Sequence, residues 1–449
     1  MLSACWLLAA SAVGLLAGPR DFDVVVLGAT GFTGRLAARY LAERYGAGSP
    51  VRWAVAARDA SKLARVMAEV QINVPAAERA TEIVCDTCDA EAVDALVRRT
   101  RVVINYAGSP FIDKALPVVE ACAKLGTSYV DITAELPLQR TTYDRFHAQC
   151  VESGALVIHS CGFDSVPADL SAFLAARQLR AAFDVDCDRL QVVLAGGLGG
   201  FSGGTIATGA ALMGGEMDDA PGAADAARRG SYPLDPDGAT GGPDTSDFGP
   251  TGLAGYDPDL KTWTTFSVMA PVNMPVVRKT NALLNYAYGR EVRVGEAMET
   301  GSAVATALAF PLMAAGVAAV ANPQVFRTLT AAGVLPSPGQ GPPDWLSENG
   351  FFQVYALAVA KGDKTPKRTA RADIRSAASW GDPGYRGTAL MSVESALTLA
   401  LDRAACPAAT AGGVLTPASA MGDALVARLR KAGMSIEVSD SGPGGSGTF

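Results

Sequence analysis

Short runs of β-branched and other apolar residues alternate with helix-periodic segments through the first third of the chain. Val24–Leu27 is the first run, and Arg35–Tyr45 reads as the helix after it. Val51–Ala57, Glu82–Asp86, Val102–Tyr106, Ser128–Ile132 and Ala155–His159 repeat the pattern. Helices over Ala90–Arg98, Leu116–Leu125 and Tyr143–Glu152 separate the later ones. Runs this short and apolar suit strands buried on both faces. Six of them alternating with helices predict an α/β fold, a doubly wound parallel sheet of Rossmann type. Beyond Cys161 the rhythm changes. Leu190–Ala195, Phe351–Ala360 and Thr369–Arg375 read as strands, Thr388–Ala404 as a long helix and Met421–Ala432 as a terminal one. Residues 218–260 are rich in Gly, Pro and Asp with little periodicity, as in a long surface loop. The expected domains are an apolar segment over 1–20, a Rossmann-type domain over 21–165 and an α+β domain over 166–387. C-terminal helices over 388–438 and a disordered tail over 439–449 follow.

Two segments are unusually apolar. Leu2–Ala17 is interrupted only by Ser3 and Ser11, and no basic residue precedes it. It reads either as an anchor or signal, or as an irregular start. Ala303–Ala321 is uncharged over nineteen residues, long enough to span a bilayer. Pro311, Gly316 and many alanines make it a poor independent span. The expectation is a broken helical hairpin that turns one apolar face to lipid or acyl substrate and attaches peripherally.

The candidate chemistry begins at Asp21–Gly34, DFDVVVLGATGFTG. Strand, glycine turn and helix together make a dinucleotide-binding pattern. Gly28 permits a tight turn, Gly31 lets backbone approach a pyrophosphate, and Gly34 lets helix pack on strand. Thr30, Phe32 and Thr33 complete the loop, and the helix N-terminus offers N–H groups to phosphate. At the end of the second strand Arg58 and Asp59 give a mixed signal, because an acid binds ribose hydroxyls and an Arg accepts a 2′-phosphate. Arg58 with Lys62 favours NADP(H) over NAD(H).

Composition narrows the alternatives. A formal net charge of −7 with scattered basic residues argues against a nucleic-acid surface. Two histidines, His147 and His159, exclude a multi-histidine metal site and leave few ways to build a Ser–His–Asp triad; no metal is expected. The eight cysteines show no disulfide framework, and the lone Cys85-x-x-Cys88 reads as an incidental strand end.

With GATGFTG at 28–34, AAR at 56–58, YVDITAE at 129–135, CGFDSVPAD at 161–169, SGGT at 202–205 and GDPGY at 381–385, the chain resembles the saccharopine dehydrogenase-like oxidoreductases. It is most similar to the branch that includes trans-acting enoyl reductases of complex lipid synthesis. The resemblance runs from about Asp21 to Val438. It implies NADP(H)-type binding, a central substrate domain, and C-terminal helices that rejoin the Rossmann domain. Two departures stand out. Ala134 replaces the glycine of the usual YxDxTGE. The loop beside the nicotinamide becomes Gly108-Ser109-Pro110-Phe111, with Lys114-Ala115 where Tyr-Gly is common. The resemblance makes Gly108 and Ser109 cofactor-binding positions.

Ligands of an open α/β sheet bind at strand C-terminal ends, here near Asn105, Tyr106, Ser109, Tyr129, Asp131, Thr133, Glu135, His159, Cys161, Asp164 and Ser165. Hydride transfer needs geometry and one proton donor. Tyr129, Glu135 and Asp164 are the catalytic candidates. Their plainer readings are a half-buried strand residue, a solvated charge and a helix cap; His159 reads as a satisfied strand residue. Three functions stay open. The first is an NADPH-dependent reductase of an enoyl or keto group on a lipid or acyl substrate, in glycolipid or lipid metabolism. The second is a nucleotide-binding, membrane- or lipid-droplet-associated protein with weak or absent catalysis. The third, a saccharopine dehydrogenase, requires carboxylate-binding cations such as Arg278, Lys279, Arg290 and Arg293. The expected partners are a hydrophobic acyl or lipid substrate, a peripheral membrane or lipid-droplet contact, and a second copy in a homodimer. The compartment is membrane or lipid droplet, otherwise cytoplasm or mitochondrion.

Overall fold

The computed structural model describes residues 20–74, 80–108, 110–200, 202–215, 217–239, 242–243, 246–336, 340–362, 367–377 and 380–441. Leu2–Ala17 and Ser109 lie outside them. The chain forms two compact units. One comprises Met1–Thr133, Thr141–Cys161 and Thr388–Leu425; the other comprises Ala134–Arg140, Gly162–Gly387 and Val426–Phe449.

The chain first alternates β1 (Phe22–Leu27), α1 (Phe32–Tyr45), β2 (Trp53–Ala57), α2 (Ala60–Asn73), β3 (Thr81–Val84) and α3 (Ala90–Arg98). It continues with β4 (Thr100–Asn105), α4 (Ile112–Leu125), β5 (Ser128–Asp131), α5 (Leu136–Ser153) and β6 (Leu156–Ile158). All pairings in this sheet are parallel. Val24, Val25 and Val26 are wholly buried, which is what an uninterrupted β-branched run requires of a strand covered on both faces. The sheet has seven strands rather than six: Gly413–Leu415 pairs with β6 from far along the chain. A three-residue strand, held only by that pairing, carries no periodicity of its own. β1 lies between β2 and β4, so the strand order reverses there, and ligands of an open α/β sheet bind beyond the C-terminal ends at such a point.

The second unit contains α6 (Ser165–Phe183), β7 (Cys187–Leu198), α7 (Gly203–Met213), α8 (Ala223–Arg228), β8 (Ala254–Asp257), β9 (Thr262–Phe266) and α9 (Ala270–Leu283). After these come β10 (Arg293–Glu299), α10 (Ala303–Ala321), α11 (Pro323–Ala331), α12 (Asp344–Asn349), β11 (Phe351–Ala360) and β12 (Thr369–Arg375). The chain then gives α13 (Thr388–Leu401) and β13 (Gly413–Leu415) to the first unit. It ends with α14 (Pro417–Lys431), broken by non-helical backbone at Gly422, and β14 (Ser435–Ser441). The second sheet runs β14-β12-β11-β7-β10-β9-β8, antiparallel except for β7 with β10. α6 packs across β7, β11, β12 and β14.

Several expectations need correction. The 218–260 segment is not a plain surface loop. It holds α8 and β8, and its Leu234 and Asp235 are buried. Its polar composition serves Arg140, a fully buried cation that donates to Asp235 O at 2.8 Å and faces Asp225 and Asp237. Ala303–Ala321 is one continuous helix, not a hairpin. A single Pro removes one hydrogen bond without making a turn when helix-forming residues flank it. Residues 439–441 are not tail: they complete β14, in register with β12. Every residue of α13 from Thr388 to Ala400 is buried. Its Glu394 accepts hydrogen bonds from Tyr40 (2.5 Å) and Tyr45 (2.8 Å) on α1.

Candidate functional site

The glycine loop closes over Gly28–Gly31, with the Gly31 N–H donating to Gly28 O at 3.0 Å. Gly28 has φ +85°, and a β-carbon there would lie 2.5 Å from Ala107 N. The loops after β1 and β4 therefore approach each other closely, and only glycine fits. A β-carbon at Gly34 would stand 2.3 Å from Gly28 O, so this position sets how closely α1 meets the turn. Gly31 differs. Its nearest neighbour would be Gly28 O at 3.3 Å, and the residue is exposed. A side chain there would project into the space that a phosphate needs. No side chain caps α1 at Gly31, and Thr30, Phe32 and Thr33 stand half-exposed around it. Gly108 follows β4, also half-exposed, with the Phe111 ring against it.

Asp59 caps α2, accepting from Lys62 N at 2.9 Å and Ser61 Oγ at 2.8 Å. Those hydrogen bonds hold its carboxyl below the usual range. Both bonds fall on its Oδ1. Arg58 and Lys62 are exposed beside it. The loop and these two cations fit a dinucleotide that carries a 2′-phosphate.

At the ends of β4, β5 and β6 a buried polar network forms. Asn105 Nδ2 donates to the Tyr129 hydroxyl at 3.0 Å, which donates to Asp131 Oδ2 at 2.9 Å. His159 Nδ1 meets the same Asp131 oxygen at 2.7 Å, and its Nε2 meets Thr142 Oγ1 at 2.8 Å. Tyr129 is wholly buried, and burial together with Asp131 pushes its phenol well above the usual value. The structure thus takes Tyr129 out of reach of a substrate; it braces the strand ends. Glu135 is not a solvated charge: it is fully buried, in the Ala134–Arg140 segment of the second unit.

Asp164 is different again. It makes no capping hydrogen bond to α6, although it precedes the helix. Solvent reaches its side chain, yet enough protein surrounds the carboxyl to push it up to about 6. Next to it, Ser165 Oγ donates to Asn273 Oδ1 at 2.9 Å. Asn273 Nδ2 donates to Glu296 Oε2 at 2.9 Å, and Ser267 Oγ donates to Glu296 Oε1 at 2.8 Å. Burial pushes Glu296 up to about 7 against those two hydrogen bonds, and the nearby charges of Asp164 and Asp247 push the same way. The Tyr385 hydroxyl accepts from Ser202 N and lies 2.7 Å from Thr205 Oγ1. Burial raises this phenol, and the Asp164 charge adds to the shift. Asp164, Ser202, Thr205 and Tyr385, from the 161–169, 202–205 and 381–385 motifs, thus lie close to one another in the second unit. Glu296, Asn273 and Tyr385 were not singled out from sequence. A lone carboxylate inside an apolar strand, Val294-Gly295-Glu296-Ala297, was the available signal for the first.

Two of the carboxylate-clamp cations, Arg278 and Arg290, line one small cavity with Tyr232 and Tyr286. Arg278 is buried, donating to Ser231 O (2.9 Å) and Val294 O (3.1 Å) and paired with Asp247. Lys279 is buried too, its ammonium pushed down to about 7 by burial and Arg140. Arg293 pairs with Asp188, and Arg290 lies over the Tyr286 ring at 4.2 Å. Among the described residues no group of three or more His, Cys, Asp or Glu side chains could hold a metal ion.

Residues 24–158 match the saccharopine dehydrogenase NADP-binding domain. A Mycobacterium tuberculosis H37Rv protein is 36% identical over 94% of this chain and 99% of its own length. It bears the name trans-acting enoyl reductase as a provisional designation. Proteins named trans-acting enoyl reductase from Mycobacterium bovis BCG and Mycobacterium ulcerans are 35% and 33% identical. They cover 92% and 93% of this chain, and each is covered over 97% of its length. The fold resembles that of the apo, L-Glu-forming saccharopine dehydrogenase of Saccharomyces cerevisiae. That match has TM-score 0.52 and 13% identity, and covers 94% of this chain and 100% of the other.

Proposed function

Because this chain belongs to the trans-acting enoyl reductase family of saccharopine dehydrogenase-like oxidoreductases, we propose that it uses NADPH to reduce the carbonyl-conjugated double bond of a hydrophobic acyl substrate. A keto group on a similar lipid is the second acceptor class. The observation that carries the cofactor choice is the capping of α2 by Asp59, whose Oδ1 is held by Lys62 N and Ser61 Oγ beside the exposed side chains of Arg58 and Lys62.

Bound NADPH supplies a hydride. The chain's own residues bind, orient and protonate. Gly28 and Gly34 keep the β1–α1 turn tight, and Gly31 leaves its outer side open to the pyrophosphate. Arg58 and Lys62 receive the 2′-phosphate. Hydride addition at the β-carbon of an enoyl group leaves an enolate that needs one proton. Asp164 holds a proton closer to neutral pH than an ordinary carboxyl does, and it is accessible. Asn273 and Glu296 fix the neighbouring Ser165, and so hold the Asp164 turn in place. A lipid-metabolic role is part of the same proposal.

The test is calorimetric titration of NADPH and NADH, followed by NADPH oxidation with enoyl thioesters of increasing chain length. NADPH binds more tightly, and Arg58→Ala narrows the gap by about 1–3 kcal/mol, the scale of a lost charge-assisted hydrogen bond. Equal affinities in the unmodified protein refute the NADP assignment. NADPH binding without turnover on any enoyl or keto lipid refutes the reductase.

A further inference from the structure

We propose that α10 and α11 seat the second unit on one leaflet of a lipid bilayer, with both ends of α10 on the same side. The starting point is an apolar helix that the protein does not bury. α10 has a mean hydropathy of 2.0, and only 6% of its most apolar window is buried. Thr306 is its one buried residue. Val304, Leu308 and Leu312, at four-residue spacing, are 71%, 70% and 76% exposed. A helix apolar all round belongs in a large core or in lipid. α10 is in no core, and its position at 303–321 is not that of a leader sequence. It packs against α7, α11, β8 and β9, all within the second unit. A partner protein or an acyl chain covers one stripe of such a helix and leaves the rest in water. Lipid surrounds it.

Topology decides how the helix meets the bilayer. β10 ends at Glu299 and β11 begins at Phe351, and both pair with β7. The chain therefore leaves and re-enters one sheet on either side of a single strand. A crossing by α10 demands a second span to return. α11 has 9 residues and α12 has 6, or about 14 Å and about 9 Å of helix, against about 30 Å of hydrocarbon. Irregular backbone exposed to lipid does not make that journey. α10 must then lie in one leaflet. α11, capped by Asn322 Oδ1 and without a buried residue, continues it as an interfacial helix. Charge agrees. From Thr300 to Pro343 the only charged side chain is Arg327, in a protein of net charge −7. An acid-free segment with one cation complements an anionic headgroup layer.

The proposal stands apart from the reductase reading, because its test reads partition and not turnover. Full-length protein is floated with vesicles of phosphatidylcholine and phosphatidylglycerol. The unmodified chain floats. The Leu308→Glu, Leu312→Glu double variant changes two exposed side chains, keeps NADPH binding, and floats at least about tenfold less. Protein that stays at the bottom of the gradient overturns the proposal. So does a dimer broken by the same variant, which assigns the surface to a second copy. Ala303→Cys and Ala331→Cys, each in a Cys88→Ser background, then report topology through a membrane-impermeant maleimide. Labelling of both from outside the vesicle supports the monotopic arrangement; protection of one end shows a crossing and overturns it.

Discussion

At the scale of single residues, the most discriminating position is Gly31. Its β-carbon would press on Gly28 O at 3.3 Å, a contact relieved by a shift of a few tenths of an ångström, while the rest of a Gly31→Val side chain fills the phosphate space. Loss of NADPH binding in calorimetry with an unchanged circular dichroism spectrum is expected; retained binding would move the cofactor elsewhere. Asp164 gives the pH dependence. A carboxyl pushed up to about 6 is protonated below that pH and ionised above it. If the proton it donates is the one used, kcat falls as pH rises through about 6. Asp164→Asn lowers kcat by about 100-fold and removes that limb of the profile; an unchanged limb excludes Asp164 as the donor. The cofactor loop was legible in sequence because its requirements are local: three glycines between one strand and one helix. The grouping of Asp164, Ser202 and Tyr385 was not. Ser202 and Tyr385 lie 183 residues apart, and no spacing rule links them. Tyr129 misled for the opposite reason. A tyrosine at a strand end looks available until its neighbours, Asn105 and Asp131, are seen to enclose it.

At the scale of elements, the buried parallel strands were readable because a strand covered on both faces must be apolar throughout. Helix starts were readable where a cap marks them. Asp89 is such a cap, accepting from Glu91 N and Ala92 N at 3.0 and 3.1 Å at the head of α3. Asp89→Ala costs about 1 kcal/mol, measurable as a lower urea midpoint with an unchanged slope. Elements that depend on distant partners were not readable. β13 is three residues long and exists because β6 offers an edge, and β14 sits in a stretch whose Ser and Asp residues resemble a tail. α10 was recognised by composition, but its form was not: Pro311 suggested a break that the continuous helix does not contain.

At the scale of the whole molecule, β14 covers one edge of the second sheet, with its seven residues in register along β12. Removing Ser435–Phe449 uncovers β12 and leaves Ile436's place in the core empty. Lower thermal stability and concentration-dependent aggregation on size-exclusion chromatography are expected; a monomeric truncation of unchanged melting temperature would show that β14 is dispensable. The interleaving of the two units also sets a timetable for biosynthesis. The first unit's sheet lacks β13, and its core lacks α13, until residues 388–425 have left the ribosome. The second unit waits for 426–441. Nascent chain from the first 161 residues therefore emerges with the open edge of β6 exposed, while more than half the protein is still being made. Chaperone demand should peak in that interval, and a Rossmann fragment of those 161 residues made for crystallography would inherit the same vulnerability permanently.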